Sequence, residues 1–441
     1  MVCRWLELGA CLWLLQGCAP RAQVPSVAPT PRVQASASTV TPSAPVAAAP
    51  PQDTTPTPAP LWAFLQLRAG ADEPLLRWSL LRECRPEWAP ELIQMLSQPM
   101  PDSSSDAGDA AFGHEYFWQT TAADLLGCSG ANAAVEPLIG VLFDPKKSDI
   151  HESALAALAK LEPSFERAKA LLAQPAQAPV AARIFGALGC KQATPLLIAA
   201  IERTSEPLAR TAMAAALPDL PSHPDSSRAL RLAFDQTPAS TRMPDRDDPR
   251  RVLVDAAGRL PDPSLIPWLL QVAANANANH GADIEHAALK GLLALTRTED
   301  LPKIRAAVAR YGDEDVRARL AETETLLKGC RRNVACYESK MLDESAEPFT
   351  RYKSARVLSS LGNEQTALEL VNALSSVREH HLGWYVAEVA DSVLPDGSPR
   401  VATALADKLK ARAAVLDPQD YGRELPLDST LARLRARQRC R

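Results

Sequence analysis

Residues 122–127 read Ala-Ala-Asp-Leu-Leu-Gly, and a short way on residues 135–139 read Val-Glu-Pro-Leu-Ile. The phrase returns at 181–189 with Pro195-Leu196-Leu197-Ile198, at 256–261 with Leu265-Ile266-Pro267-Trp268-Leu269, and at 355–362 with Ala367-Leu368-Glu369-Leu370. In each copy an Ala-rich stretch closes on Leu-Gly or its equivalent and a Leu/Ile-rich stretch follows. Gly127, Gly189 and Gly362 fall where a first helix is expected to stop, a place that favours left-handed backbone. Pro137, Pro195 and Pro267 fall near the start of the next helix, where a missing N–H costs little. Val135, Leu138, Ile139 and Leu142 make one apolar stripe, as do Ile150, Ala154, Ala157 and Leu158, and then Leu208, Ala212 and Ala215. These periods predict short amphipathic helices that bury their stripes only by stacking on one another.

The composition of the 441 residues agrees. There are 76 Ala and 59 Leu against 19 Gly, a mixture that heads the helix propensity order and argues against a sheet-rich fold. Charge is nearly balanced, 48 Lys+Arg against 52 Asp+Glu, so a net charge of -4 provides no electrostatic footprint for nucleic acid.

The recurring phrase resembles HEAT repeats, in particular the short kind named after phycobilisome lyases, across roughly residues 113–414. The resemblance implies an all-α fold, an α-solenoid of helical hairpins, whose extended surface contacts other proteins. Its spacing is irregular: Gly127 to Gly189 covers two units, and the later intervals are longer. Relatives of the lyase type attach or detach bilins. That implies an alternative function, an enzyme or accessory factor acting on a bound chromophore or other small ligand.

The amino terminus carries a different message. Arg4 precedes an apolar run from Leu8 to Leu15, too short to span a bilayer and laid out like a secretory signal. Leu15-Gln16-Gly17-Cys18 resembles the lipobox of bacterial lipoproteins, which implies cleavage before Cys18 and its lipidation. Ala19 after that Cys leans, by the same resemblance, toward the outer membrane. From Ala19 to Pro60 the chain is rich in Pro, with only Arg21, Arg32 and Asp53 charged and no aromatic. Such a stretch cannot form a core and reads as a disordered tether, with a contour of roughly 130 Å in polyproline II. The expected organisation is a signal peptide over 1–17, the lipidated Cys and tether over 18–60, a helical-repeat domain over 61–416, and a basic tail over 417–441. This is the plan of an envelope lipoprotein, held to the membrane by its lipid and meeting envelope proteins through its body.

Export makes disulfides possible. Cys330 and Cys336, around an expected helix stop at Gly329, are the best candidates for a bond closing a small loop. Cys128 and Cys190 hold equivalent places after Leu-Gly, but stacked units separate them too far to be joined. Both are expected to be small buried hydrophobes.

No catalytic motif emerges, and nothing calls for a cofactor or metal. His114-Glu115 and His151-Glu152 begin like zinc-protease helices but lack the second His four residues on, and are expected at the surface or at caps. His280 and His286, with Asp283 and Glu285 between them, could reach a metal only if the loop folded back, and His380-His381 point apart on a helix; these too are expected at the surface or at caps. Asp245 to Asp248 lacks the Gly and Glu of a calcium loop. The arginines at 433, 435, 437, 439 and 441 scatter around a helix and read as a solvated, frayed tail, or as a contact for anionic headgroups or cell-wall polymer. Two aromatic groups stand out in a chain that is 5% aromatic: Phe112, Tyr116, Phe117 and Trp118, then Trp384 and Tyr385. They are candidate partner-binding anchors, since Trp and Tyr dominate binding hot spots, or they fill space between helices.

Overall fold

In the computed structural model, residues 61, 73–101, 106–238, 248–275, 282–374, 382–413 and 425–440 are described. The expected signal, Cys18 and the tether lie outside them. Among the described residues there are α- and 3-10 helices and no strand. The α-helices begin with α1 (Glu73–Glu83), α2 (Ala89–Leu96), α3 (Asp106–Ser129), α4 (Val135–Phe143), α5 (His151–Lys160), α6 (Ser164–Leu172) and α7 (Ala178–Leu188). Next come α8 (Ala193–Arg203), α9 (Pro207–Ala215), α10 (Ser226–Gln236), α11 (Pro249–Arg259), α12 (Ile266–Asn275), α13 (Ala282–Leu295) and α14 (Leu301–Tyr311). The last are α15 (Glu314–Cys330), α16 (Val334–Leu342), α17 (Pro348–Leu361), α18 (Glu364–Ala373), α19 (Leu382–Val393), α20 (Pro399–Ala413) and α21 (Leu425–Arg439).

The two halves of the sequence phrase become the two layers of an α-solenoid. Its Ala-rich halves lie on odd-numbered helices, and its Leu/Ile-rich halves open even-numbered ones. Odd helices pack on one another in order: α3 on α5, α5 on α7, α7 on α9, α9 on α11 and α11 on α13. Small residues permit this close stacking. A Cβ on Gly127 would stand 2.6 Å from Ala157 Cα across the α3–α5 contact, so nothing larger than Gly fits there. Even helices cover the odd ones as hairpin partners, with Leu138, Leu197, Leu269 and Leu370 buried beneath them. Each such Leu contributes about 1.5–3 kcal/mol.

The stack does not end as an open row. After α13 the order runs to α17, with α15 packed beside both, then through α19 to α21. Helix α21 packs against α19 and α20 and also against α5 and α7. The odd layer therefore forms a closed circuit, from α5 round to α21 and back. The expected frayed tail is instead the helix that shuts it: Leu427, Leu431, Leu434 and Ala436 are buried, and Arg437 is only 4% exposed. Arg433 and Arg437 are four residues apart and turn inward together, whereas Arg435 and Arg439 remain exposed.

Several local expectations need correction. Gly189 ends α7 in left-handed backbone (φ 62°) as expected. Gly127, however, lies inside α3, where close packing is what requires it, and Gly362 follows α17 in extended backbone. Helix α15 runs past Gly329 to Cys330, and it is Arg331 that takes a positive φ of 53°. On α9 the buried face is shifted by one residue from the expected stripe. Leu208 is 63% exposed, while Ala209, Arg210, Met213 and Ala214 face inward. Arg210 takes that place because its guanidinium donates to the carbonyls of Ile201 and Thr204, at the end of α8.

Candidate functional site at the closure of the helical layer

The closed circuit brings charged side chains from distant parts of the chain to face one another. Glu152 on α5 interacts with Arg183 on α7, Asp219 beyond α9 and Arg433 on α21. Asp219 pairs with Arg259 at the end of α11. Arg356 on α17 donates to Glu388 on α19 (2.8 Å) and to the carbonyls of Gly258 (3.0 Å) and Arg259 (2.9 Å). One turn along α19, Asp391 meets Arg433 at 3.1 Å and Arg437 at 3.6 Å. Arg183, Arg259, Arg356 and Arg433 thus face Glu152, Asp219, Glu388 and Asp391, four charges of each sign. Crowding by the helices raises the Glu152 carboxyl, with Arg183 opposing, and desolvation likewise raises the Tyr352 phenol beside Arg356. Each carboxylate has a cation to offset it. The pairing is not complete: among the described residues Arg356 Nε, Arg433 Nε and Asp391 Oδ1 are buried with no hydrogen bond.

Two buried cations cap helix ends around this circuit. Lys353 on α17, 1% exposed, donates to the carbonyls of Leu293 (2.9 Å), Ala294 (2.7 Å) and Thr296 (2.9 Å) at the end of α13. All three ammonium hydrogens are used at the negative end of a helix dipole. Burial nevertheless brings Lys353 down to about 7, with Arg356 adding to the effect. Arg437 donates to the carbonyls of Gly189 (2.9 Å), Asp391 (2.7 Å) and Leu394 (2.9 Å), and burial takes it down to about 10.

His151 is buried, and of the two places expected for it, surface or cap, it takes the cap, at the end of α4. Its Nε2 lies 3.0 Å from the Val141 carbonyl and 3.2 Å from that of Asp144, while Nδ1 faces an Arg183 amino group at 3.0 Å. An arginine can only donate, so Nδ1 accepts and Nε2–H donates to a carbonyl: a neutral ring. Burial, then Arg183, lowers its pKa. His286 stands 3.6 Å from Asp313, and Asp248 caps α11 through the Arg250 amide. Residues 245–247, His280, His380, His381 and Arg441 lie outside the described residues. Among the described residues no group of His, Cys, Asp or Glu is arranged to hold a metal, and no helix is long and apolar enough to cross a membrane.

Cys330 and Cys336 come together as expected, Cα to Cα 5.4 Å, joining the end of α15 to the first turn of α16. The other four cysteines pair as well. Cys84 meets Cys128 (6.1 Å) across the α1–α3 contact, and Cys190 meets Cys440 (5.9 Å) where α21 reaches α7. Cys128 and Cys190 are not joined to each other, but neither is a free buried thiol. Their partners stand at non-equivalent places, which repeat spacing alone cannot reveal.

The aromatic groups divide. On α3, Phe112 and Tyr116 stack at 6.3 Å, and Phe117 meets Trp118 edge to face at 5.2 Å. Trp118 packs on the core, while Tyr116 is 38% exposed. On α19, Tyr385 packs on the core, donates to the Pro348 carbonyl and lies beneath Arg351. Its neighbour Trp384 is 55% exposed. No protein-family model matches the chain, and no curated protein matches it.

Proposed function

We propose that the chain is an exported, lipid-anchored scaffold of the bacterial cell envelope, a HEAT-like helical body that holds another envelope protein and catalyses no reaction. Its compartment is supported by cysteine use: all six cysteines beyond Cys18 stand in three pairs, the pattern of an oxidising space and not of a cytosol. Cys18 carries the lipid, and the tether over 18–60 sets the body away from the outer membrane, on its periplasmic side. The observation that carries the scaffold reading is Trp384. A Trp more than half exposed, on a helix whose neighbour Tyr385 is locked to Pro348 and Arg351, is a rigid anchor awaiting a partner. Tyr116, stacked on Phe112, is a second.

Crosslinked envelopes carrying the tagged full chain test this. One partner protein is expected to co-purify reproducibly with wild type and to be lost with Trp384→Ala and Tyr116→Ala at unchanged thermal stability. A chromophore or other small molecule co-purifying in its place would overturn the reading in favour of the lyase-like alternative. Cys18→Ala is expected to move the protein out of the membrane fraction; unchanged partition would remove the anchor.

A further inference from the structure

Helix α21 has two boundaries, and a disulfide crosses the one toward α7. Toward α19 and its following turn it is bound by Arg433 to Asp391 (3.1 Å), Thr430 to Asp391 (3.3 Å), and Arg437 to the carbonyls of Asp391 and Leu394. Toward α5 and α7 the described polar contacts are similar in number, with Glu152 facing Arg433 among them. Lys160 pairs with Asp428 at 2.6 Å, and Arg439 donates to the Ala159 carbonyl at 2.8 Å. Arg437 reaches Gly189 and Gln192 donates to the Cys440 carbonyl, while Lys191 faces Asp396, in the turn after α19, at 3.8 Å. Across this second boundary, the seam of the circuit, lies the Cys190–Cys440 bond. It joins residues 250 apart in sequence. A cleft lies along the seam, its walls including Leu161, Glu162, Phe165, Glu166, Arg439 and Cys440. Cys190 is fully buried, whereas Cys440 is partly exposed, so an incoming group meets Cys440 first.

We propose that the Cys190–Cys440 bond is a redox-operated clasp: an exported protein dithiol cleaves it and opens the seam between α21 and α5–α7, while α21 stays seated on α19 and α20. The thiolate of the dithiol enters the cleft and attacks Cys440 Sγ. The bond to Cys190 breaks, Cys190 leaves as a thiolate and takes up a proton, and a mixed disulfide joins Cys440 to the reductant. The reductant's second thiolate then attacks its own sulfur in that bond, freeing Cys440, which is protonated in turn. Two electrons pass to the clasp and the dithiol becomes a disulfide. The other two pairs cannot act this way. Cys84–Cys128 joins the neighbours α1 and α3, and Cys330–Cys336 closes the short turn between α15 and α16, so breaking either leaves the circuit shut.

Amide hydrogen exchange on the full chain tests the clasp, comparing the oxidised protein, the protein after treatment with a thioredoxin-type dithiol, and C190A/C440A. Amides of the last turn of α5 and of residues 189–193 are expected to exchange roughly tenfold faster in both opened forms, with those of α19 and α20 unchanged. Equal exchange at the seam in all three forms would overturn the proposal, since the seam would then hold itself. So would a uniform acceleration along the chain, which would make the bond a staple for the whole fold. Reduction of the folded wild type keeps the test valid if C190A/C440A fails to fold. A dithiol lacking its second Cys should be trapped on Cys440; trapping on Cys190, or none, would refute the route of attack.

Discussion

Lys353 offers the sharpest test of how the circuit is held. Its ammonium is buried among Leu293, Ala294 and Thr296 carbonyls, and desolvation sets its pKa at about 7 instead of 10.5. The folded value lies below the unfolded one, so the unfolded chain binds the extra proton between the two. The stability this group contributes therefore rises with pH through that window and is lost as pH falls toward 7. Linkage across those two values gives a gain of about 2 kcal/mol between pH 7 and about pH 9. Lys353→Met fills a similar volume and cannot titrate. Urea unfolding followed by circular dichroism at both pH values, for wild type and variant, isolates the effect, because every other titrating group cancels in the difference. The paired cysteines leave no free thiol in the described body to reshuffle at the higher pH. Wild type is expected to gain about 2 kcal/mol over the variant. Identical pH slopes would refute the reasoning, and would mean that three carbonyls at a helix end offset the whole cost of burying the charge.

Gly127→Ala, which places a methyl group 2.6 Å from Ala157 Cα, should lower stability by about 1–3 kcal/mol, while Gly113→Ala on the same helix, with open space around it, should raise it by up to about 1 kcal/mol; thermal melts compare the two. Arg437→Met removes the donor shared by three carbonyls and should cost about 3–5 kcal/mol, read from denaturant midpoints. His151, with a folded pKa below 6.5, should cause stability to fall as pH drops below that value; His151→Gln should flatten this acid limb, and an unchanged limb would rule out the neutral ring.

Local physics made much of the fold legible. Val135, Leu138, Ile139 and Leu142 are all buried, as are Ile150, Ala154, Ala157 and Leu158, because a helix turns its stripe inward wherever its neighbour stacks. The Ala-rich and Leu-rich halves of the phrase resolve into two layers for the same reason, small side chains permitting close stacking and larger ones filling the cover. Leu208 fails the pattern because Arg210 is needed inside to satisfy carbonyls, a demand that hydrophobic periodicity does not encode. What the sequence hid was the return of the chain. Nothing local distinguishes Arg433 and Arg437, which turn inward, from Arg435 and Arg439, which do not. The helices packed on α21 decide that: α19, which supplies Asp391, and α5 and α7, more than 200 residues upstream. The pairs of Cys84 and Cys440 were hidden for the same reason, since spacing specifies a partner only when both ends lie in one turn, as for Cys330 and Cys336.

A row of stacked units open at both ends can gain or lose a member and leave its neighbours undisturbed. This protein cannot. Because its last helix must land beside α5 and α7, inserting or deleting one hairpin between α7 and α19 would carry Cys440 away from Cys190 and take the Gly189 carbonyl from Arg437. The size of the body is thereby locked, and its growth in evolution or by design is confined to the loops and to the segments outside the ring.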